Sequence, residues 1–387
     1  MNKTRENIIL GITGFSHLMV HTQMLVFPTL LLIFKSHFHL GLDTLGYMAT
    51  MSAFMFGLGA LPAGYLESRL GGRKLLLLYQ LGSGMSSLLI VMSNSPVMFT
   101  VGISLLGLCS SVYHPAGLTV ISRRVRRISK GMAIHGIFGS AGLAIGPIFA
   151  SFFTDQYSWR VTFSLLVVAQ FGLALATMIL IDPSKAITET DNDESLKNQT
   201  NLKALGLYYG VTALMGFAYT GFTTFIPTHF ALSTRDVISS LSDVMRGGTF
   251  TTLVLLAGIV GQILGGKWGS KYDKKMLLFW IVAANIPCFL ILGFTSGEAL
   301  VVTGILLGVV HFSLQPIGNS LIAEFTTSHH RGLGYGVSFF SSFGIGAIAA
   351  GVSGWIAETF SLPLVFPVLG IILFPGLWLA NRIRKFH

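Results

Sequence analysis

The chain has 387 residues, of which 52% are hydrophobic and only 10% are charged, and it contains 45 glycines and 30 phenylalanines. This apolar balance excludes an ordinary soluble domain and indicates a polytopic membrane protein. The two cysteines, Cys109 and Cys288, fall in different apolar stretches and give no support for a disulfide or a cysteine-based metal site.

Apolar runs of about 20 residues follow one another along the chain, each long enough to cross a hydrocarbon core of ~30 Å as a helix. Because no water is available to backbone groups there, each run must be helical. The first run lacks a small-residue cleavage site, so we interpret it as a retained helix rather than a signal peptide. We therefore predict an all-α membrane protein with twelve transmembrane helices, at residues 8–33, 43–66, 74–94, 97–121, 131–153, 160–181, 204–231, 248–267, 276–295, 299–323, 332–356 and 363–381.

The formal net charge of +10 is distributed unevenly between the two sides of the predicted membrane. With the N-terminus in the cytoplasm, all Lys and Arg residues fall on the cytoplasmic side except Lys35, Arg160, Arg235 and Arg246. This positive-inside asymmetry predicts that both termini are cytoplasmic. It also accounts for the basic balance without nucleic-acid binding.

The polar stretch "DPSKAITETDNDESLKNQTNLKA" between the sixth and seventh runs is mixed in charge and lacks helical periodicity, so we predict a cytoplasmic linker at 182–203. On either side the chain repeats itself at an offset near 200. "LLGLCSSVYHPAG" aligns with "LLGVVHFSLQPIG", "GYLESRLGGRK" with "GKWGSKYDKK", and "FPT" with "IPT". The repeat predicts two pseudo-symmetric six-helix bundles, at 1–181 and 204–387.

The 6+6 layout, the charged linker and the loop after the second helix resemble the major facilitator superfamily over nearly the whole chain. The resemblance implies alternating access, with helices 1, 4, 7 and 10 lining a central cavity and helices 2, 5, 8 and 11 forming the moving interface. The family's loop motif carries Asp where this chain has Ser68, which leaves Glu67 as the candidate for its charge pairing. The gating residues that the resemblance implies are Gly64, Glu67, Ser68, Arg69, Arg73, Gly266, Lys271 and Asp273.

The fifth run contains "HGIFGSAGLAIGPIFA", which resembles the GxxxGP motif of exporter branches in this superfamily, such as drug/proton antiporters. Gly142 and Gly146 recur at helical spacing with Gly139, which permits close helix approach, and Pro147 bends the axis. A small-residue packing face is the alternative interpretation. The "YHPAG" of the fourth run and the histidine in the first resemble the fosmidomycin-resistance-like branch.

Ionisable groups inside a membrane usually face a cavity or a partner. We expect every carboxylate to lie near a helix end, which leaves histidines as the buried titratable groups. His17 and His21 lie about 6 Å apart along one helix face, and His135, like His114, is more readily interpreted as a neutral hydrogen-bonded imidazole. The predicted cavity residues are His17, His21, Gln23, Tyr113, His114, Tyr208, Tyr219, His311, Gln315 and Asn319.

A cavity free of carboxylates, edged by histidines and with Lys35, Arg235 and Arg246 at its outer mouth, suits neutral or anionic solutes better than lipophilic cations. The ordinary pKa of His, near 6.5, makes it the readiest proton carrier at physiological pH. We therefore expect a secondary transporter that exports a drug, phosphonate, carboxylate or carboxylate siderophore. We expect the proton gradient to drive it, without cofactor or resident metal, in a monomer of the inner membrane.

Two alternatives remain open. Membrane-embedded histidines also suit a transporter of divalent iron or zinc. A His-xxx-His box additionally resembles those of di-iron membrane desaturases, which would make the protein an enzyme. No phosphate-binding GKS or GKT sequence is present, which argues against direct ATP coupling.

Overall fold

A computed structural model describes residues 3–182 and 200–385 of the chain. The predicted linker therefore lies mostly outside the described residues. Within the described parts, the secondary structure is helical, without strands. The first half contains helices α1 Lys3–Thr29, α2 Leu31–Phe38, α3 Leu42–Leu70, α4 Gly72–Val91, α5 Pro96–Ser111, α6 Tyr113–Arg124, α7 Ile128–Gln156 and α8 Trp159–Leu180.

The second half repeats this order with one irregular segment. Its helices are α9 Leu202–Ser233, α10 Asp243–Lys271, α11 Lys274–Leu292, α12 Gly297–Phe312, α13 Leu314–Phe325, α14 Ser328–Phe339, a π-helical turn at Phe340–Ile345, α15 Ile348–Thr359 and α16 Val365–Arg384.

Eleven of the described helical segments are long and apolar enough to cross a membrane. The seventh predicted run corresponds to α9, which is of sufficient length but falls outside that set. Five threonines dilute its hydropathy, at Thr212, Thr220, Thr223, Thr224 and Thr228. The all-α architecture predicted from the sequence is confirmed, with these threonine side chains buried inside the bundle rather than facing lipid.

The fourth and tenth predicted spans are each broken at equivalent positions. The break falls after Ser111 in one half and after Phe312 in the other. Each of these residues lies four positions before a proline, Pro115 or Pro316. Because proline has no backbone N–H and its ring crowds the carbonyl four residues earlier, it weakens the helix at that turn, and here the helix is interrupted. The two halves therefore share the position of this helix break as well as the order of their membrane-spanning helices.

The two halves meet along two pairs of helices, α3 with the α14–α15 segment and α7 with α10. Glycines allow the close approach. A Cβ at Gly57 of α3 would lie 2.2 Å from the backbone nitrogen of Gly344 in the π-helical turn. On the second pair, a Cβ at Gly248 would lie 2.7 Å from the carbonyl oxygen of Pro147. The resemblance to the superfamily implied these pairs as the moving interface.

We call the end of the bundle near residues 3 and 385 the terminal face, and the other end the opposite face. At the opposite face, polar contacts join the halves. The Glu358 carboxylate accepts hydrogen bonds from Lys35 Nζ at 3.2 Å and from the Leu42 N–H at 2.7 Å. Ser242 donates to Asp155 at 2.5 Å.

At the terminal face, the described ion pairs each stay within one half. They are Glu67–Arg123 at 3.4 Å, Glu6–Arg126 at 3.7 Å and Lys274–Glu324 at 3.3 Å. The halves are therefore latched together by polar contacts at the opposite face, which is the arrangement of a bundle closed on that side.

Candidate functional site: a histidine cluster between the halves

Helix α1 is seated on a glycine stripe of α7, and this contact fixes its histidines. A Cβ at Gly139 would lie 2.3 Å from Cε1 of His17, and one at Gly142 would lie 2.3 Å from the Leu18 carbonyl oxygen. Any larger residue at either position would push α1 away. The glycine spacing read from the sequence thus brings the His17 ring directly against the α7 backbone.

Hydrogen bonds define the tautomers of the two α1 histidines. His17 Nδ1 lies 2.8 Å from the backbone carbonyl oxygen of His135, which can only accept, so Nδ1 carries the proton. In neutral His17 the Nε2 atom is then an acceptor. His21 Nε2 lies 3.1 Å away from it and donates. The pair is therefore joined by one N–H···N bond and retains a free lone pair at His21 Nδ1.

Two further imidazoles complete a four-membered histidine cluster, which we define as His17, His21, His114 and His135. The His17 and His135 rings are stacked, with centroids 4.0 Å apart and an interplanar angle of 17°. The centroid of the His114 ring lies 5.1 Å from that of His17, in an edge-on arrangement, and 5.5 Å from that of His21. His114 also contacts Phe339 of the second half at 5.2 Å. The cluster belongs to the first half but reaches the boundary between the halves.

Three ring nitrogens of the cluster are buried without a hydrogen-bond partner among the described residues: His21 Nδ1, His114 Nε2 and His135 Nε2. One ring nitrogen each from His17, His21 and His114 lies within 4.8 Å of the others. Buried polar atoms normally find partners. Unpartnered imidazole nitrogens that converge in this way are suited to take up a proton, a polar solute group or a metal ion.

Gln23 and Tyr113 were predicted to line the cavity, but both are buried inside the first half. Gln23 donates to Ser110 Oγ at 2.5 Å and accepts from Gln170 at 2.9 Å. The Tyr113 hydroxyl donates to the Thr13 carbonyl oxygen and lies 3.3 Å from His135 Nδ1. These hydrogen bonds hold α1 against neighbouring helices of the first half. Gln23 and Tyr113 therefore help to position the histidine cluster.

The second half carries one histidine at the corresponding depth. His311 Nδ1 pairs with Asn285 Oδ1 at 2.9 Å, and the Tyr219 ring stacks on it at 5.6 Å. Tyr208, also predicted as a cavity residue, is 3% exposed and packs against Gly318. Two other predicted residues lie on exposed positions of α13: Gln315 and Asn319. The structure therefore does not bring the second-half candidates into the histidine cluster.

The gating residues of the first half hold the helix ends together. Glu67 pairs with Arg123, so a charge pair between helices forms through Glu67, as the sequence left open. Arg73 donates to the carbonyl oxygens of Ile181 at 2.7 Å and Met178 at 3.1 Å. These contacts tie the connection after α3 to the ends of α6 and α8. Gly64 and Ser68 lie within α3, and their side-chain surroundings are outside the described part of the structure.

The equivalent residues of the second half behave differently. Asp273 caps α11 by accepting the Met276 N–H at 2.7 Å, and Lys271 lies 5.3 Å from the centre of the Tyr272 ring. A Cβ at Gly266 would meet no atom within 4 Å. Asp273 thus acts here as a helix cap rather than as part of a charge pair between helices.

Carboxylates are confined to the helix ends throughout the described residues. Each lies in the first or last turn of a helix or in a connection, at Glu6, Asp43, Glu67, Asp155, Asp182, Asp236, Asp243, Asp273, Glu298, Glu324 and Glu358. The cations expected to attract anions at the outer mouth are all paired with these acids. Lys35 pairs with Glu358, and Arg235 and Arg246 both contact Asp243. They act as structural ion pairs in this conformation, which differs from the sequence-based expectation.

Three buried polar residues described above are absent from the predicted site residues: His135, Gln170 and Asn285. Neither a His within a glycine-rich run nor an isolated Asn or Gln in an apolar run carries a pattern of its own. The glycine stripe of α7 was the available signal for His135, since His135 lies one helical turn before Gly139, which meets His17 in the structure.

Comparisons with known proteins agree on the family. The model of the Major Facilitator Superfamily matches residues 12–242 and 238–385. The chain is 25% identical to the fosmidomycin resistance protein of Escherichia coli (strain K12), over 71% of this chain and 68% of that protein. It is 24% identical to a probable sugar efflux transporter of Helicobacter acinonychis, over 84% of each chain.

Solved structures show the same fold at low sequence identity. A bacterial homologue of the human lysosomal transporter Spinster, in an inward-facing and occupied conformation, superposes with a TM-score of 0.81 at 10% identity, covering 100% of this chain and 98% of that one. A D-xylose–proton symporter gives 0.78 at 12% identity, covering 98% and 97%. These proteins are transporters and not enzymes, which removes the desaturase alternative. The chain is thus a multi-pass membrane transporter that belongs to the Major Facilitator Superfamily.

Proposed function

We propose that this protein exports a small neutral or anionic organic solute in exchange for protons by alternating access. The observation that carries the proposal is the histidine cluster at the boundary between the halves. Among the described residues, no carboxylate lies in the middle of a membrane-spanning helix. The cluster supplies the titratable groups that a proton-coupled transporter needs. Solutes of the proposed class include drugs, phosphonates, carboxylates and carboxylate siderophores.

The hydrogen bonds of His17 give a route for proton uptake without loss of structure. His17 Nδ1–H stays bonded to the His135 carbonyl oxygen whether or not Nε2 is protonated. A proton added to the His17–His21 pair preserves the N–H···N bond and leaves a new N–H at His21 Nδ1, which has no partner here. An anionic solute group would satisfy that N–H, so proton and anion could each stabilise the other at the cluster.

The contact between His114 and Phe339 links protonation of the cluster to the movement of the two halves. Because these rings lie on opposite sides of the boundary, protonation of the cluster changes the solvation of a contact between the halves. Separating the halves hydrates the imidazoles, which favours their charged form. In this scheme the closed opposite face described above is the inward-facing member of the cycle, with both termini in the cytoplasm of a monomer in the inner membrane.

The names of the relatives favour export. They include a fosmidomycin resistance protein, two multidrug resistance proteins and a Na⁺, Li⁺, K⁺/H⁺ antiporter. The glycine stripe ending in Pro147 provides the same argument from the sequence, since it resembles an exporter motif and here seats α1.

Purified protein in liposomes tests the proposal. Fosmidomycin, a carboxylate panel and the lipophilic cation ethidium would each be followed with and without an imposed pH gradient. We expect a neutral or anionic compound to move with the gradient and ethidium not to move. Transport of cations alone, or a transport rate that is the same with and without the pH gradient, would contradict the proposed function.

A further inference from the structure

Three imidazoles of the cluster form a ligand set that the proton scheme does not require. One ring nitrogen each of His17, His21 and His114 lies within 4.8 Å of the other two. Zn–N bonds of about 2.0 Å in a tetrahedral site place ligand nitrogens about 3.3 Å apart. The His17–His21 pair already stands at 3.1 Å. Only His114 must therefore approach to complete the set.

The hydrogen bonds leave suitable lone pairs on these rings. A metal-bound histidine usually donates its other ring N–H to a carbonyl or carboxylate oxygen. His17 does this through Nδ1–H to the His135 carbonyl oxygen, which directs the Nε2 lone pair into the cluster. His114 Nε2 and His21 Nδ1 are buried and unpartnered among the described residues. His21 can present either nitrogen, because moving its proton from Nε2 to Nδ1 exposes the Nε2 lone pair in place of the one on Nδ1.

We propose that His17, His21 and His114 bind a borderline divalent transition-metal ion such as Zn²⁺, with one coordination position open to an anionic ligand. Three neutral imidazoles suit zinc and similar ions better than Mg²⁺ or Ca²⁺, which require oxygen ligands. Three protein ligands leave a tetrahedral ion one free position.

The charge of the surroundings determines what fills that position. Three neutral imidazoles do not offset a charge of +2, and the described carboxylates lie at helix ends away from the cluster. A bare dication in an apolar interior is costly. A single carboxylate or similar anion in the fourth position would offset part of this charge, so a divalent ion with one monodentate anion is the chemical class that fits the cluster.

Binding by the unenergised protein separates this inference from the proposed function, because it needs neither a pH gradient nor an organic solute. Wild-type protein in lipid nanodiscs would be titrated with Zn²⁺ alone by calorimetry. We expect one ion per chain, and a loss of affinity of about tenfold or more in His21→Ala and in His114→Ala. His37→Ala is the matched control, since it removes an imidazole from α2 outside the cluster and should leave binding unchanged.

The absence of Zn²⁺ binding, or binding that survives in both cluster variants, would overturn the inference. If a cluster variant fails to fold, X-ray absorption of the zinc-loaded wild type provides the test: three imidazole ligands near 2.0 Å are expected, and an all-oxygen or sulfur shell contradicts the site. Cobalt-substituted protein tests the open position. Acetate should shift its visible bands, whereas an unchanged spectrum would show that no anion binds the ion.

Discussion

The two halves share a repeat, yet the first half gathers four imidazoles where the second places one. His311 has a hydrogen-bond partner at Nδ1, the Asn285 side chain, and the Tyr219 ring is stacked against it. The first-half cluster instead leaves His21, His114 and His135 each with an unpartnered buried nitrogen. Buried, unpartnered nitrogens that lie close together are suited to bind a proton or a ligand, and the described second half shows no such group around His311.

Aligning α1 with its repeat partner α9 shows which residues replace the two histidines in the second half. With "FPT" aligned to "IPT", His17 and His21 correspond to Gly216 and Thr220. A Cβ at Gly216 would lie 2.3 Å from the Ser342 carbonyl oxygen, so the backbone of α9 packs directly against the backbone of the π-helical turn. At the equivalent position of the first half, the His17 side chain lies between α1 and α7. The repeat therefore keeps the helix contacts, while the histidine cluster is found in the first half only.

Removal of the central ring should give the largest effect. His17→Ala eliminates the bond to the His135 carbonyl oxygen and the stacking on the His135 ring. We expect gradient-driven solute uptake into inverted vesicles to fall by about tenfold or more. Asn285→Ala, which frees His311 in the other half, should change uptake by less than about threefold, in line with one neutral hydrogen bond. Equal losses in both variants would remove the asymmetry between the halves.

Glycine substitutions should destabilise both halves alike, because helix contact is what the repeat conserves. Gly142→Ala and Gly216→Ala each place a Cβ 2.3 Å from a backbone oxygen. We expect a loss of about 1–3 kcal/mol in the free energy of unfolding, measured by thermal unfolding in detergent. Gly136→Ala is the matched control, since a Cβ there meets nothing within 4 Å. It should be neutral or stabilising by up to about 1 kcal/mol, and a comparable loss at Gly136 would refute the packing argument.

The ion pairs at the two faces should differ in their effect on opening. Glu358→Ala removes a contact between the halves, to Lys35 and to the Leu42 N–H, and should favour opening of the opposite face by about 1 kcal/mol. Hydrogen exchange of residues 31–46 and 348–359 should accelerate several-fold. Glu324→Ala removes a pair within one half and should leave exchange there unchanged. Acceleration in both variants would show general loosening instead of release of a latch.

Much of the fold could be predicted because the membrane imposes a simple rule on apolar length. The close approach at Gly142 follows from the helical spacing of small residues. The breaks before Pro115 and Pro316 were not predicted, because a proline such as Pro147 can also lie inside a continuous helix. The π-helical turn at Phe340–Ile345 could not be predicted. No local pattern distinguishes it from an α-helical run, and its packing against Gly57 depends on the other half.

The site was predicted in part. The spacing of His17 and His21 indicated a shared face, but the convergence of His114 and His135 depends on how three helices cross. Gln23 and Tyr113 were assigned to the cavity because they are polar residues on cavity helices. The structure shows their side chains bonded into the first half, since a buried polar group bonds to the nearest available partner.

The central claim is that proton coupling resides in the first half, and solute-coupled proton flux in liposomes tests it most directly. A pH-sensitive dye inside the vesicles would report the flux on addition of a transported solute to wild type, His21→Ala and His311→Ala. We expect His21→Ala to abolish the coupled proton signal and His311→Ala to retain most of it. A signal that persists in His21→Ala and disappears in His311→Ala would place proton coupling in the second half instead.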